Sequence, residues 1–170
     1  MKARVLVAAL SLLFSFGCAR PQSEELTPQQ KDKVKSEAKA ASDSVIARWV
    51  RRDGGGAMEY YAPDVVVVSD TMKMDYKTYR QGWIAYDSAA AAIKVTPRRD
   101  EGMVLAKDIV VWTWVGKVEI TMQSGDTVTT DPQVYSSVMQ KVAGRWLVIY
   151  SHASGVGVVH KAGPARRPKA

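Results

Sequence analysis

The sequence predicts an α+β domain in which a curved antiparallel sheet carries helices packed against one of its faces. Three observations predict it. Apolar residues recur at helical spacing in two blocks, 27–53 and 75–90. From Ile93 onward the spacing changes to long alternating runs separated by short glycine-containing turns. The helical blocks come before these strands, which groups the helices on one side of the sheet.

The first element lies outside the fold. Lys2 and Arg4 precede an apolar run from Val5 to Phe16 that closes on Gly17-Cys18, the only cysteine of the chain. A bilayer-spanning helix needs about 20 apolar residues, so residues 1–18 are read as an export signal. Small Gly17 before Cys18 resembles a bacterial lipobox, in which the Cys18 thiol is acylated and becomes the new N-terminus, although Ser15 and Phe16 depart from the usual pattern. Ordinary cleavage after the small-x-small triplet Gly17-Cys18-Ala19 is the alternative. Both readings leave the folded part without a disulfide or a catalytic thiol. Residues 19–26, polar and containing Pro21, are read as a tether.

Thr27 with Gln30 forms a capping box, and Pro28 takes the first helical position, where its missing N–H costs nothing. Val34, Ala38, Ala41, Val45 and Trp49 then give one apolar stripe. The helix is expected to end at Asp53-Gly54-Gly55-Gly56. The segment 57–62 suits a short helical stretch, and Val65 to Val68 read as a strand covered on both faces. Asp75 caps a second helix whose stripe is Tyr76, Tyr79, Trp83, Tyr86 and Ala90.

The strand region opens with Ile93 to Leu105, where Pro97 points to an edge or a bulge. Asp108 to Met122 follows with two largely apolar faces. Ser124-Gly125-Asp126 and Gly144 then turn the chain around Thr127 to Val142 and into a last strand ending at Ser154. The domain is thus expected over 27–156, with 157–170 as a disordered basic tail.

The formal charge of +7 is a matter of location. Lys2, Arg4, Arg20, Lys161, Arg166, Arg167 and Lys169 lie in the signal, the tether or the tail, and setting them aside leaves seventeen basic residues against the chain's seventeen acidic ones. A neutral body offers no basic face for phosphates, so nucleic acid is not an expected partner.

The order of helix, short helix, strand, helix and long bent strands resembles the nuclear transport factor 2-like superfamily. Tyr61-Ala62-Pro63-Asp64 before a valine strand is similar to that family's entry to its first strand. Gly144-Arg145-Trp146 through His152-Ala153-Ser154 is similar to the final strand of its SnoaL-like and kinase-association-domain-like branches. The resemblance spans about Thr27 to Ser154 and implies a cone-shaped fold with a pocket between the sheet's concave face and the helices. It does not fix a function, because this fold carries enzymes, binding modules and oligomerisation hubs.

Which side chains enter such a pocket depends on the last hairpin. A three-residue loop, Val142-Ala143-Gly144, puts Tyr135 on one face with Ile149 and Ser151 and sends Tyr150 and His152 to the other. A two-residue loop, Ala143-Gly144, sets Tyr135 beside His152. Glycine in third place favours the longer loop.

Trp83, Tyr86, Trp112, Trp114 and Tyr135, with Ser137, are the expected ligand-binding residues of an aromatic cavity. Asp70 and His152 are the candidate acid/base groups. The ketosteroid isomerases of the same superfamily use an aspartate base with a tyrosine and a protonated acid. Asp70 stands one residue off the first position, the first helix reads Ala41-Ser42-Asp43-Ser44-Val45 where the tyrosine is expected, and the central strands offer only Glu119 as an acid. His152 is the only histidine of the folded region, so a histidine metal cluster is excluded, and no phosphate loop or nucleophile elbow occurs. No cofactor is implied.

The expected protein is an exported domain anchored through Cys18, on the periplasmic side of a bacterial envelope, or secreted if Cys18 is removed. It binds a small hydrophobic or aromatic molecule. A SnoaL-like or isomerase-like enzyme and a non-catalytic interaction module are the alternatives. Homodimerisation is expected through the apolar outer strand face of Ile109, Val111, Thr113 and Val115.

Overall fold

The computed structural model describes residues 25–162 except Thr71. The export signal, Cys18, most of the tether and the end of the basic tail lie outside the described residues. Helix α1 (Pro28–Val50) starts at the expected capping box: Thr27 N–H donates to Gln30 Oε1 at 2.8 Å, and Gln30 N–H donates to the Thr27 hydroxyl at 3.3 Å. Its stripe faces the sheet, with Ala38, Ser42 and Val45 buried. Two polar ties fix its angle. Lys141 donates to Glu37 at 2.6 Å and Lys39 lies 3.0 Å from Asp100. The ammonium of Lys141, and after it the Trp146 indole, holds the Glu37 carboxyl below its ordinary pKa.

The glycine run does not terminate α1. That helix has already ended, and Arg52 carries a φ of 59°. Asp53 instead caps a short helix α2 (Gly54–Ala57), accepting the Gly56 N–H at 2.9 Å. Glycine is needed here for approach rather than for a turn, since a Cβ on Gly54 would lie 2.6 Å from Asp87 Oδ2 and 2.9 Å from Trp83 Cβ. A single turn of 3₁₀ helix (Met58–Tyr60) leads into β1 (Tyr61–Ser69) and β2 (Met72–Met74). Helix α3 (Tyr76–Ala89) is capped by Asp75, which accepts the Thr78 N–H at 2.8 Å. The meander β3 (Ala90–Ala106), β4 (Ile109–Met122), β5 (Thr127–Val142), β6 (Arg145–Ser154) and β7 (Gly157–His160) completes the chain.

These strands form one curved sheet of order β2-β1-β6-β5-β4-β3, with β7 paired to the first half of β5. Every pairing is antiparallel except β1 with β6, so the sheet is mixed. Pro97 sits at a bulge on the edge strand β3, where a missing N–H breaks no ladder. Helices α1 and α3 cover one face only.

Two sequence expectations change. Val65 and Val67 are buried, but Val66 and Val68 are only half-buried on the uncovered face, so β1 is not covered on both sides. Residues 157–160, assigned to a disordered tail, form β7, because Thr127–Thr130 of β5 still has a free edge where β6 has left it. Among the described residues no helix is long and apolar enough to cross a membrane.

Candidate functional site

A cavity of about 500 Å³ lies between the concave sheet face and helices α1 and α3, with β2 at its rim. Its position follows from the packing of two separate clusters. One gathers Ala38, Met58, Val65, Val110, Trp112 and Met139 under α1, and the other gathers Ala90, Ile93, Trp114, Val118 and Ile120 towards the far end of β4. The space between them is lined by side chains from both.

The wall is aromatic. Tyr61, Tyr79, Trp83 and Trp49 follow one another with ring centroids 5.6 to 5.8 Å apart, two of the three contacts being edge-to-face. The α3 stripe supplies Tyr79, Trp83 and Tyr86 because i, i+4 and i, i+3 spacings place them on one face. Trp114, Tyr135, Ser137 and Met139 come from the inward positions of β4 and β5.

The polar part is a group of hydroxyls at the sheet. Tyr61 and Tyr135 share a hydrogen bond at 3.0 Å. Ser137 and Ser151 border the Tyr135 hydroxyl, and the buried Ser151 Oγ has no hydrogen-bond partner. Burial pushes the phenols of Tyr61 and Tyr135 well above their ordinary pKa, and those of Tyr79 and Tyr86 in the same direction. All four are therefore neutral at physiological pH. The amide nitrogen of Gln133, at the cavity wall, donates to the Val134 and Ser154 carbonyls at 3.2 and 2.9 Å. Among the described residues none that lines the cavity is charged. Among them, too, no three His, Cys, Asp or Glu side chains gather as a metal site.

Of the residues expected at the site, Trp83, Tyr86, Trp114, Tyr135 and Ser137 line the cavity. Trp112 does not. It is 1 % exposed and packs in the core with Ala38 and Met139, because α1 lies over that part of β4. Asp70 is exposed in the β1–β2 turn with a φ of 49°, its N–H donating to the Ala153 carbonyl at 3.1 Å. His152 stands between Val68 and Ser136 on the outer sheet face.

The last hairpin explains the placement of His152. The loop has two residues, Ala143 and Gly144, both with positive φ, and Val142 pairs with Arg145. That turn alone would set Tyr135 beside His152. A bulge leaves Ile149 unpaired between the Val138–Tyr150 and Met139–Val148 pairs, so Tyr135 pairs with Ala153 and Ser137 with Ser151. Tyr135 thus shares a face with Ser151, as the longer loop would have given, by a different route.

Tyr61, Tyr79 and Trp49 were not among the expected site residues. Tyr79 and Trp49 belong to the helical stripes already visible in the sequence, and Tyr61 opens the segment that begins the first strand. Only the fold shows that these three surround one space.

No protein-family model matches this chain, and no curated protein does. Solved structures do. A scytalone dehydratase-like protein of Novosphingobium aromaticivorans superposes with a TM-score of 0.71 at 9% identity, covering 84% of this chain and 100% of that one. A ketosteroid isomerase-like protein of Erwinia carotovora gives 0.63 at 12%, covering 74% and 98%. A nuclear transport factor 2-like protein of unknown function from Pseudomonas putida gives 0.61 at 16%, covering 72% and 87%. At such identities the likeness is one of fold, and the fold is that of the nuclear transport factor 2-like superfamily.

Proposed function

From a nuclear transport factor 2-like fold that encloses a neutral, aromatic cavity, we propose that this domain binds a small hydrophobic or aromatic molecule there. The observation that carries the reading is the lining itself: a continuous aromatic wall, one cluster of hydroxyls, and no charged side chain among the described residues. Acid–base catalysis through Asp70 or His152 has no support in their positions, since a general base must come within about 3 Å of the proton it takes. The neutral apolar dye N-phenyl-1-naphthylamine is expected to enter the cavity and quench tryptophan fluorescence. Trp83→Ala should weaken its binding by ~1–3 kcal/mol. A titration without quenching, or one that Trp83→Ala leaves unchanged, speaks against the site.

The setting is part of the same proposal. Acylation at Cys18 would hold the domain at a membrane surface, each buried methylene contributing ~0.8 kcal/mol. The mass of the mature N-terminus checks it, and an unmodified chain starting at Arg20 counts against it.

A homodimer through the outer sheet face is proposed on a specific row. Met103, Val111, Val138, Tyr150 and Val66 are successive register partners across five strands, and Met103 and Tyr150 are 58% and 38% exposed. An interface of at least ~1,000 Å² would cover this face. Sedimentation at tens of micromolar is expected to show a dimer that Val138→Lys dissociates; a monomeric wild type removes the proposal.

A further inference from the structure

Resting on the homodimer reading above, we propose that the outer-face dimer is a pH switch set by His152: two copies associate while this imidazole is neutral and separate when it takes up a proton in mild acid. The placement comes from one row of register partners. Lys73, Val68, His152, Ser136, Thr113 and Glu101 follow one another across β2, β1, β6, β5, β4 and β3. This row is the polar middle of an apolar face. On one side of it runs the row of Met103, Val111, Val138, Tyr150 and Val66, and on the other lie Val115 and Val134.

The row is complementary to a second copy of itself. A two-fold axis parallel to the strands, between β5 and β6, exchanges its two ends. Lys73 then meets Glu101 of the second copy, Val68 meets Thr113, and His152 meets Ser136. Lys73 has no ion pair among the described residues, and Glu101 shares one with Arg99 at 2.8 Å on the exposed edge strand. Three rows on six strands cover roughly 25 by 20 Å, or about 500 Å² on each copy. Two copies together reach the ~1,000 Å² of a stable interface.

In that arrangement the imidazole lies close to the axis, where water is excluded. A neutral imidazole is satisfied by a serine hydroxyl, but an imidazolium needs a carboxylate or water. Neither neighbouring strand supplies one. Val66 and Val68 of β1 and Val134, Ser136 and Val138 of β5 face it, with Tyr150 and Ser154 on its own strand, and Ser136 is already hydrogen-bonded to Thr113 at 3.2 Å. The nearest charges in the register are Lys73 on β2, Asp70 exposed in the β1–β2 turn, and Glu101 and Arg99 three strands away on β3. Histidine side chains ordinarily titrate between pH 5 and 8, and the separated chain binds the proton that the dimer refuses. Association is therefore full above that range and is lost as the pH falls through it.

Sedimentation equilibrium of the full chain at about pH 7.5 and about pH 5 tests this. The wild type is expected to be dimeric at the higher pH and to associate at least ~tenfold more weakly at the lower. His152→Gln, which takes up no proton, should stay dimeric at both. His160→Gln, altered at the exposed histidine of β7, should behave as the wild type does. His152→Lys carries its charge at neutral pH and should be monomeric there, which keeps the test decisive if circular dichroism shows that acid unfolds the wild type. A dimer indifferent to pH, one that loosens equally in His152→Gln, or a dimeric His152→Lys overturns the switch and leaves the dimer standing. A wild type that is monomeric at both pH values overturns the dimer, and the switch with it.

Discussion

Trp112→Ala is expected to lower the free energy of unfolding by about 3–5 kcal/mol, read as a fall in the denaturant midpoint. The ring is 1% exposed and sits among Ala38, Val45, Val110, Met139 and Trp146. Its loss opens a void that α1 and β6 would have to close. Part of the void lies over Gly102, the register partner of Trp112 on β3, whose missing Cβ leaves room for the indole. In the folded fraction, the dye affinity should stay near the wild-type value, because the cavity wall is built from other side chains. The opposite pattern, an unchanged midpoint with lost binding, would return Trp112 to the ligand site.

Gly116→Ala is the second large effect, expected to cost about 1–3 kcal/mol by overpacking. A Cβ at this position would lie 2.5 Å from the Thr96 carbonyl oxygen and 2.5 Å from the Trp114 ring. The carbonyl belongs to the β3–β4 ladder and cannot yield cheaply, so the indole must. Trp114 lines the cavity, which makes this variant change dye binding as well as stability. Gly55→Ala is its control, since nothing lies within 4 Å of a Cβ there. If Gly116→Ala melts with the wild type and binds as the wild type does, the packing of Trp114 over β4 is not as described.

The contrast between these tryptophans shows where sequence reading stops. Trp112 and Trp114 are two residues apart on one strand, and alternation correctly sends both inward. Which of them meets a ligand depends on where α1 crosses the sheet, and no local pattern encodes that. The same holds for His152. Its face is set by a bulge at Ile149 that offsets the two-residue turn, and neither the glycine in the loop nor the strand's composition marks the bulge. The glycines at 54–56 carry a similar ambiguity, because a terminator and a close approach use the same residue for different reasons.

What the sequence by itself determined is what depends on neighbours along the chain. The capping box at Thr27, the Asp75 cap, the stripe of α1, that of α3 up to Tyr86, the edge position of Pro97 and the alternation of the long strands are all patterns within a few residues, and each appears where its pattern put it, while Ala90, read as the end of the α3 stripe, opens β3. The tertiary structure alone decided the cavity, the Tyr61–Tyr135 pair across 74 positions, the removal of Asp70, His152 and Trp112 from the wall, and the parallel pairing of β1 with β6. The physical reason is one of range: capping and periodicity act over one or two turns, whereas a cavity is the space left when helices and a curved sheet cannot close completely on each other.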